Sequence, residues 1–152
     1  MQVRFISHRP QVERAIDRVA RDAMETGATK YVNLLVRNLK GQRHGITYPL
    51  PGRAEGSKKT YVASAPHEYP AVRLGLISGP GGYRHEVWSN ALYWGATIGS
   101  RFEHARELEE RPISRGGRPH LKRTYDENRE EILGAFVRGF RVAAATHGGA
   151  MR

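Results

Sequence analysis

The stretch YRHEVWSNALYWGATIGS, residues 83–100, decides the fold class because it reads as sheet between two helical ends of the chain. It alternates in polarity and is rich in Val, Trp, Tyr, Thr and Ile, which fit a pleated, half-buried surface. We therefore predict two antiparallel strands, at about Arg84–Trp88 and Leu92–Ile98, joined by a turn at Ser89–Asn90.

The segment before these strands is broken by turn-forming residues. Residues 41–82 contain eight glycines and five prolines, which argues against a continuous helix. We predict short extended pieces at Gly45–Tyr48 and Thr60–Ala63. They flank PLPGRAEGSKK, so a mobile projecting loop is expected over about residues 49–60.

Both ends of the chain have the apolar spacing of helices. The first is predicted from Pro10 to about Lys40, with a bend at Gly27, and Arg14, Arg18 and Arg21 on its outer face are interpreted as a solvated, ion-paired surface. Pro119 suits the first turn of a closing helix. Its predicted apolar stripe is Leu121, Tyr125, Ile132, Phe136 and Phe140.

The order helix, strands, helix predicts an α+β fold, in which an antiparallel sheet packs against a long N-terminal helix and a C-terminal helix. The segment FEHARELEE, residues 102–110, fits either a short helix or a third strand. One domain is expected over residues 1–145, followed by a flexible tail at 146–152.

The composition limits the classes of function. The formal net charge is +10, and residues 37–84 hold eight Lys/Arg against two Asp/Glu. This excess indicates contact with a polyanion or an acidic partner surface, with solubility alone as the alternative. The absence of cysteine excludes disulfides and thiolate zinc sites. No apolar run approaches the roughly 20 residues that span a bilayer, and we expect a chain made in a cytoplasm.

Stretches that resemble catalytic or cofactor motifs lack the residues or the flanking secondary structure that those motifs require. GRAEGSKKT (residues 52–60) lacks the glycine directly before Lys and Ser/Thr that a P-loop needs, and GPGGYR (79–84) precedes a strand rather than a helix. His104 with Glu103 and Glu107 could contribute to a metal site, but reads better as helix surface. We therefore expect no enzyme, no cofactor and no metal.

Two segments remain as candidate binding surfaces. APHEYPAVRLG, residues 65–75, is a strap that two prolines hold extended, and it offers Glu68 and Arg73 for pairing with a neighbouring subunit. The loop residues Arg53, Lys58 and Lys59 suit phosphates or an acidic protein surface. Without interleaved aromatics, any contact with nucleic acid is expected to be to the backbone only.

Three motifs between Ser64 and Leu121 resemble those of a known family, the tail-completion or neck proteins of long-tailed double-stranded-DNA bacteriophages. Its strap motif is matched by Ser64, Ala65, Pro66, Glu68, Pro70, Ala71, Val72 and Gly75. His104, Ala105 and Glu109 resemble its Tyr-Ala-x-x-x-Glu segment, and Arg118, Pro119, His120 and Leu121 resemble its Arg-Pro-Phe-Leu helix start. The chain departs from the pattern at His67, at His120 and at Glu110–Arg111.

The resemblance implies a virion protein without catalysis, a homo-oligomeric ring with about six-fold symmetry around the DNA channel. Its partners would be the head-closure protein, the tail tube or tail terminator, and packaged DNA bound without sequence specificity. We predict Glu68, Arg73, Glu109 and Arg118 at the subunit interface, and Arg53, Lys58 and Lys59 facing the lumen or adjacent ring. The alternatives are a tail terminator, a head-closure protein, a nonspecific nucleic-acid-binding protein or a small hydrolase.

Overall fold

The computed structural model of the chain describes residues 9–49, 60–70, 82–90, 93–101 and 103–147. In these ranges the fold is α+β, and it begins with a 31-residue helix, as predicted. The predicted projecting loop lies outside the described residues except at its two ends. None of the described helices is long and apolar enough to cross a membrane.

The predicted elements lie within two residues of their expected ends. The helices are α1 (Arg9–Leu39), α2 (Glu103–Glu110) and α3 (His120–His147), with a short 3-10 turn at Ile113–Arg115. The strands are β1 (Thr47–Pro49), β2 (Thr60–Val62), β3 (Arg84–Ser89) and β4 (Trp94–Gly99). The segment that fitted helix or strand is therefore helical, and α3 continues past Ala145 to His147.

The strands do not form the single sheet that was predicted. In the described ranges they make two separate two-stranded sheets, β1–β2 and β3–β4. The first is antiparallel, with Tyr48 opposite Tyr61 and Pro49 opposite Thr60. Strands of three residues offer few backbone groups to a third strand, and Pro49 has no N–H to donate. Among the described strands, the β1–β2 pair is therefore a separate ribbon.

The chain divides into two compact units. We call the first the helical unit; it comprises Met1–Tyr31, His85–Ile98 and Arg129–Arg152. The second, the strap unit, comprises Val32–Arg84 and Gly99–Asn128. Asn128, at the boundary within α3, leaves helical geometry with φ −126° and ψ 19°. Its side-chain amide donates to the carbonyl oxygen of Thr124 at 2.9 Å, in competition with the regular helical bonds.

Small residues bring α1 and α3 together in the helical unit. A Cβ added at Gly27 would lie 2.4 Å from the ring of Phe136, and one added at Gly139 would lie 2.8 Å from Cβ of Thr26. These distances are too short for real side chains. Glycine at both positions therefore permits a close approach of the two helices, and α1 remains helical through Gly27.

The predicted apolar stripe on α3 is partly wrong. Tyr125 and Phe140 are 39% and 55% exposed, and Ile16 on α1 is 54% exposed. The buried positions of α3 are instead His120, Thr124, Ile132, Ala135, Gly139 and Ala143. Two of these are polar and three are small, so hydrophobicity alone assigns the helix face incorrectly.

The arginines on the outer face of α1 were interpreted as ion-paired, but the structure shows two of their neighbouring carboxylates paired elsewhere. Glu25 pairs with His85 at 2.6 Å and Asp22 pairs with His147 at 2.9 Å. Within the described ranges Arg14, Arg18 and Arg21 make no ion pair, because histidines on other elements engage two of the nearby carboxylates.

The strap unit has an apolar core of its own. Leu35 and Leu39 of α1 are at most 2% exposed and pack with Tyr83 and Ala105. Val32, Val36, Tyr69 and Leu121 cover this cluster. Burying one leucine contributes about 1.5–3 kcal/mol, so the core fixes the elements that carry the strap.

Candidate functional site

The start of α3 is capped by a carboxylate from α2. Glu109 accepts hydrogen bonds from the backbone N–H groups of His120 at 2.8 Å, Leu121 at 2.9 Å and Lys122 at 2.9 Å. These N–H groups have no partner within the helix, and a negative charge also complements the positive end of its dipole. Glu109 therefore joins α2 to α3.

His120 is fully buried directly behind this cap. Its Nδ1 lies 2.9 Å from the carbonyl oxygen of Arg118, and its Nε2 contacts the hydroxyl of Tyr83. The two rings meet edge to face, with centroids 5.5 Å apart. Burial, helped by the charge of Glu109, raises the pKa of Tyr83 to about 12. The Tyr83 hydroxyl therefore stays neutral and pairs with the imidazole.

Arginines hold the proline-rich strap by its main-chain carbonyl groups. Arg118 donates to the carbonyl oxygens of Ser64 at 3.2 Å and Pro66 at 2.5 Å. Arg123 donates to that of His67 at 2.7 Å, and Arg43 to that of Pro70 at 3.2 Å. Proline has no N–H, so this segment cannot bond itself into a ladder, and guanidinium groups satisfy its carbonyl oxygens instead.

Glu68 closes the strap into a turn. Its carboxylate accepts from the backbone N–H of Ala65 at 2.8 Å and of His44 at 3.1 Å, and it lies 2.5 Å from the His44 ring. These bonds, of which that from Ala65 is the largest influence, lower the pKa of Glu68 to about 2. The ionised carboxylate therefore ties the strap to the segment before β1.

Tyr69 anchors the end of the strap. Its hydroxyl donates to Glu127 at 2.7 Å and accepts from Asn38 at 3.0 Å and Thr124 at 3.3 Å. The guanidinium of Arg123 lies 4.5 Å above the ring. Burial raises the pKa of Tyr69. Burial also acts to raise the pKa of Glu127, but hydrogen bonds from Tyr69 and Arg123 outweigh this effect, so the pKa of Glu127 is lowered.

A shallow cleft of about 300 Å³ opens between the strap and the start of α3. His67, Arg118 and Arg123 are among its lining residues, but both guanidinium groups already bind strap carbonyl oxygens. This arrangement fixes the strap and exposes its outer edge. The described residues that line the cleft do not form a constellation of nucleophile and base.

The structure brings together three of the residues predicted for a subunit interface. Glu68, Glu109 and Arg118 all lie where the strap meets α2 and the start of α3, a region that we call the strap joint, or the joint. Each of the three has partners within its own unit. Their role between subunits stays a prediction. Arg73 and the predicted lumen residues Arg53, Lys58 and Lys59 lie outside the described residues.

Sequence reasoning missed the other members of the joint. Arg43 and Arg123 bind strap carbonyls across 27 and 56 residues of chain, and Tyr69 was not singled out. One signal was available: a segment with two prolines leaves several carbonyl groups in need of donors, and arginine supplies them in pairs.

The predicted metal candidates do not assemble a site in the described part of the chain. His104 Nδ1 lies 3.6 Å from Glu107 as a surface pair, and no group of three potential ligands is found among the described residues. Comparison with family models, curated proteins and solved structures finds no match for this chain.

Proposed function

We propose that this chain is a structural virion protein of a bacteriophage neck, where it completes the tail and joins it to the head as a ring around the DNA channel. One observation carries the proposal. The strap motif lies far in sequence from the other two motifs that resemble the tail-completion proteins, yet all three meet in one joint: Arg118 holds Ser64 and also Pro66, which is 52 residues away, and Glu109 caps the helix that begins at His120.

This convergence supports the resemblance because three of the matched residues, Glu68, Glu109 and Arg118, help to build the joint. Scattered chance matches would have no reason to contact one another. A strap held rigidly in its own subunit also suits a protein that must dock the same way many times. Its partners in the neck would be the head-closure protein on one side and the tail tube or terminator on the other.

Two exposed apolar surfaces support assembly with further copies. On α3, Leu133, Val137 and Phe140 are 44–55% exposed and follow the i, i+4, i+7 spacing of one helix face. In the strap unit the β1–β2 ribbon exposes Ile46, Tyr48, Tyr61 and Val62, with the two tyrosine rings stacked at 5.5 Å. Cyclic assembly requires two different surfaces on each subunit.

Native mass spectrometry of the purified chain at low and moderate salt tests the proposal. We expect a ring of about six subunits, either alone or on addition of tail tubes, that forms equally with and without DNA fragments. A chain that remains monomeric at every concentration, and that does not bind or join tail tubes, would contradict the neck assignment.

A further inference from the structure

A second cleft lies in the helical unit, between the first half of α1 and the end of α3. Its volume is about 340 Å³. The lining residues are Gln11, Arg14, Ala15, Arg18, Thr146 and His147. Five of these six side chains carry hydrogen-bond donors and none is acidic, so the cleft is chemically suited to an anion.

The guanidinium groups of this cleft are available to a ligand. Asp22 is four residues after Arg18, within reach of a helical ion pair, but it is engaged by His147 at 2.9 Å. In the described ranges Arg14 and Arg18 make neither an ion pair nor a side-chain hydrogen bond. The arginines of the strap joint, by contrast, are committed to carbonyl oxygens.

We infer that this cleft binds a phosphate group of a nucleic-acid backbone. Arg14 and Arg18 grip the phosphate, with Gln11 as a further donor, while the Thr146 hydroxyl already donates to the carbonyl oxygen of Val142 at 3.0 Å. Arg21 continues the same helix face, so the row extends about 10 Å along α1, over which duplex DNA carries about six phosphates. The formal net charge of +10 favours a polyanion over a single small anion. The inference does not rest on the neck proposal.

The test measures binding of a 30-base-pair DNA duplex by fluorescence anisotropy over a series of salt concentrations. The cleft variant is Arg14→Gln/Arg18→Gln. Its matched control is Arg138→Gln/Arg141→Gln, which removes the same charge from two exposed α3 arginines that do not line the cleft. Both variants are checked for an unchanged thermal unfolding midpoint.

We expect the cleft variant to bind at least about tenfold more weakly, because each charge-assisted contact is worth roughly a factor of ten. The slope of log affinity against log salt should fall by about 0.9, since Arg14 and Arg18 grip one phosphate and about 0.9 is lost per phosphate contact. The control should change affinity by less than about threefold. Equal losses in both variants, or no binding by the unaltered chain, would overturn the inference.

Two further arms identify the source of the phosphate. Inorganic phosphate alone is titrated while the Nε–Hε signals of Arg14 and Arg18 are followed by NMR. A response to phosphate with none to the duplex would overturn the nucleic-acid assignment in favour of a free-anion site. A polyglutamate peptide that displaces the duplex at equal charge concentration would also overturn it, since recognition would then be of charge and not of phosphate.

Discussion

At the scale of single residues, Glu68 makes the stability of the fold depend on acid. Its pKa in the folded chain is about 2, against an ordinary value of 4.5. Because the folded value is the lower one, the stabilisation is complete above about pH 4.5 and is lost as the pH falls towards 2. The unaltered chain should therefore exceed Glu68→Gln in stability at pH 6, and this gap should narrow steadily below pH 4.5.

Urea unfolding curves between pH 2 and pH 6 measure this gap. Glu130→Gln is the control, because Glu130 is an exposed carboxylate of α3 in the other unit. Its difference from the unaltered chain should stay small throughout. If the difference in unfolding free energy between the unaltered chain and Glu68→Gln stays constant over the whole pH range, the hydrogen bonds to Glu68 do not lower its pKa.

Glu109 and Glu110 are neighbours with very different expected effects. Glu109→Ala removes the acceptor of three helix N–H groups and should lower the free energy of unfolding by about 1–2 kcal/mol. Glu110→Ala removes only a surface pair with Arg106 and should cost less than about 0.5 kcal/mol. Denaturant unfolding measures both, and equal losses would rule out the capping role.

Local sequence identified part of the joint and left the rest hidden for a physical reason. Glu68 stood out because proline spacing is a short-range signal, whereas Glu109 and Arg118 were predicted from the family resemblance. Arg123 and Arg43 did not stand out, since their contacts join residues 56 and 27 positions apart. Only the tertiary fold determines which carbonyl groups an arginine meets.

At the scale of elements, two glycines of α3 give opposite predictions for one substitution. Gly139→Ala places a methyl group 2.8 Å from Cβ of Thr26 and 3.2 Å from Cα of Ala23, so overpacking outweighs the gain in helix propensity. We expect a net loss of about 1 kcal/mol in unfolding free energy. Gly134→Ala meets only the flexible end of Arg138 and should gain about 0.5–1 kcal/mol.

Thermal and denaturant unfolding compare the two glycine variants within the same helix. The sign of the change in unfolding free energy decides between the two predictions. Stabilisation by both substitutions would mean that α1 and α3 do not approach as closely as Gly139 indicates, whereas a loss confined to Gly139→Ala would support the tight crossing.

The same elements explain which parts of the fold were predictable. Strand positions followed from runs of β-branched and aromatic residues, and the ends of α1 from a continuous helical period. The buried face of α3 was not predictable in this way, because hydrogen bonding allows His120 and Thr124 to be buried while Phe140 remains 55% exposed. A small residue at a helix crossing carries no hydrophobic signal.

At the scale of the whole molecule, the exposure of Phe140 leads to a prediction about the proposed ring. We propose that the apolar row on α3 of one copy contacts the β1–β2 ribbon of another, so the contact is between unlike surfaces. Phe140→Glu then disables one surface, and Tyr61→Glu disables the other. Val142→Glu is the control, because Val142 is 67% exposed on α3 but lies outside the i, i+4, i+7 row.

Native mass spectrometry of the two variants, alone and mixed, distinguishes the kinds of symmetry. With unlike surfaces, each variant alone fails to form rings, and an equimolar mixture gives pairs that cannot grow, because each pair unites the one intact surface of each variant. If α3 rows instead contact each other, Tyr61→Glu alone still forms pairs and mixing adds nothing. Rings from Val142→Glu with none from Phe140→Glu would place the contact on the row, since both changes add the same charge to one helix.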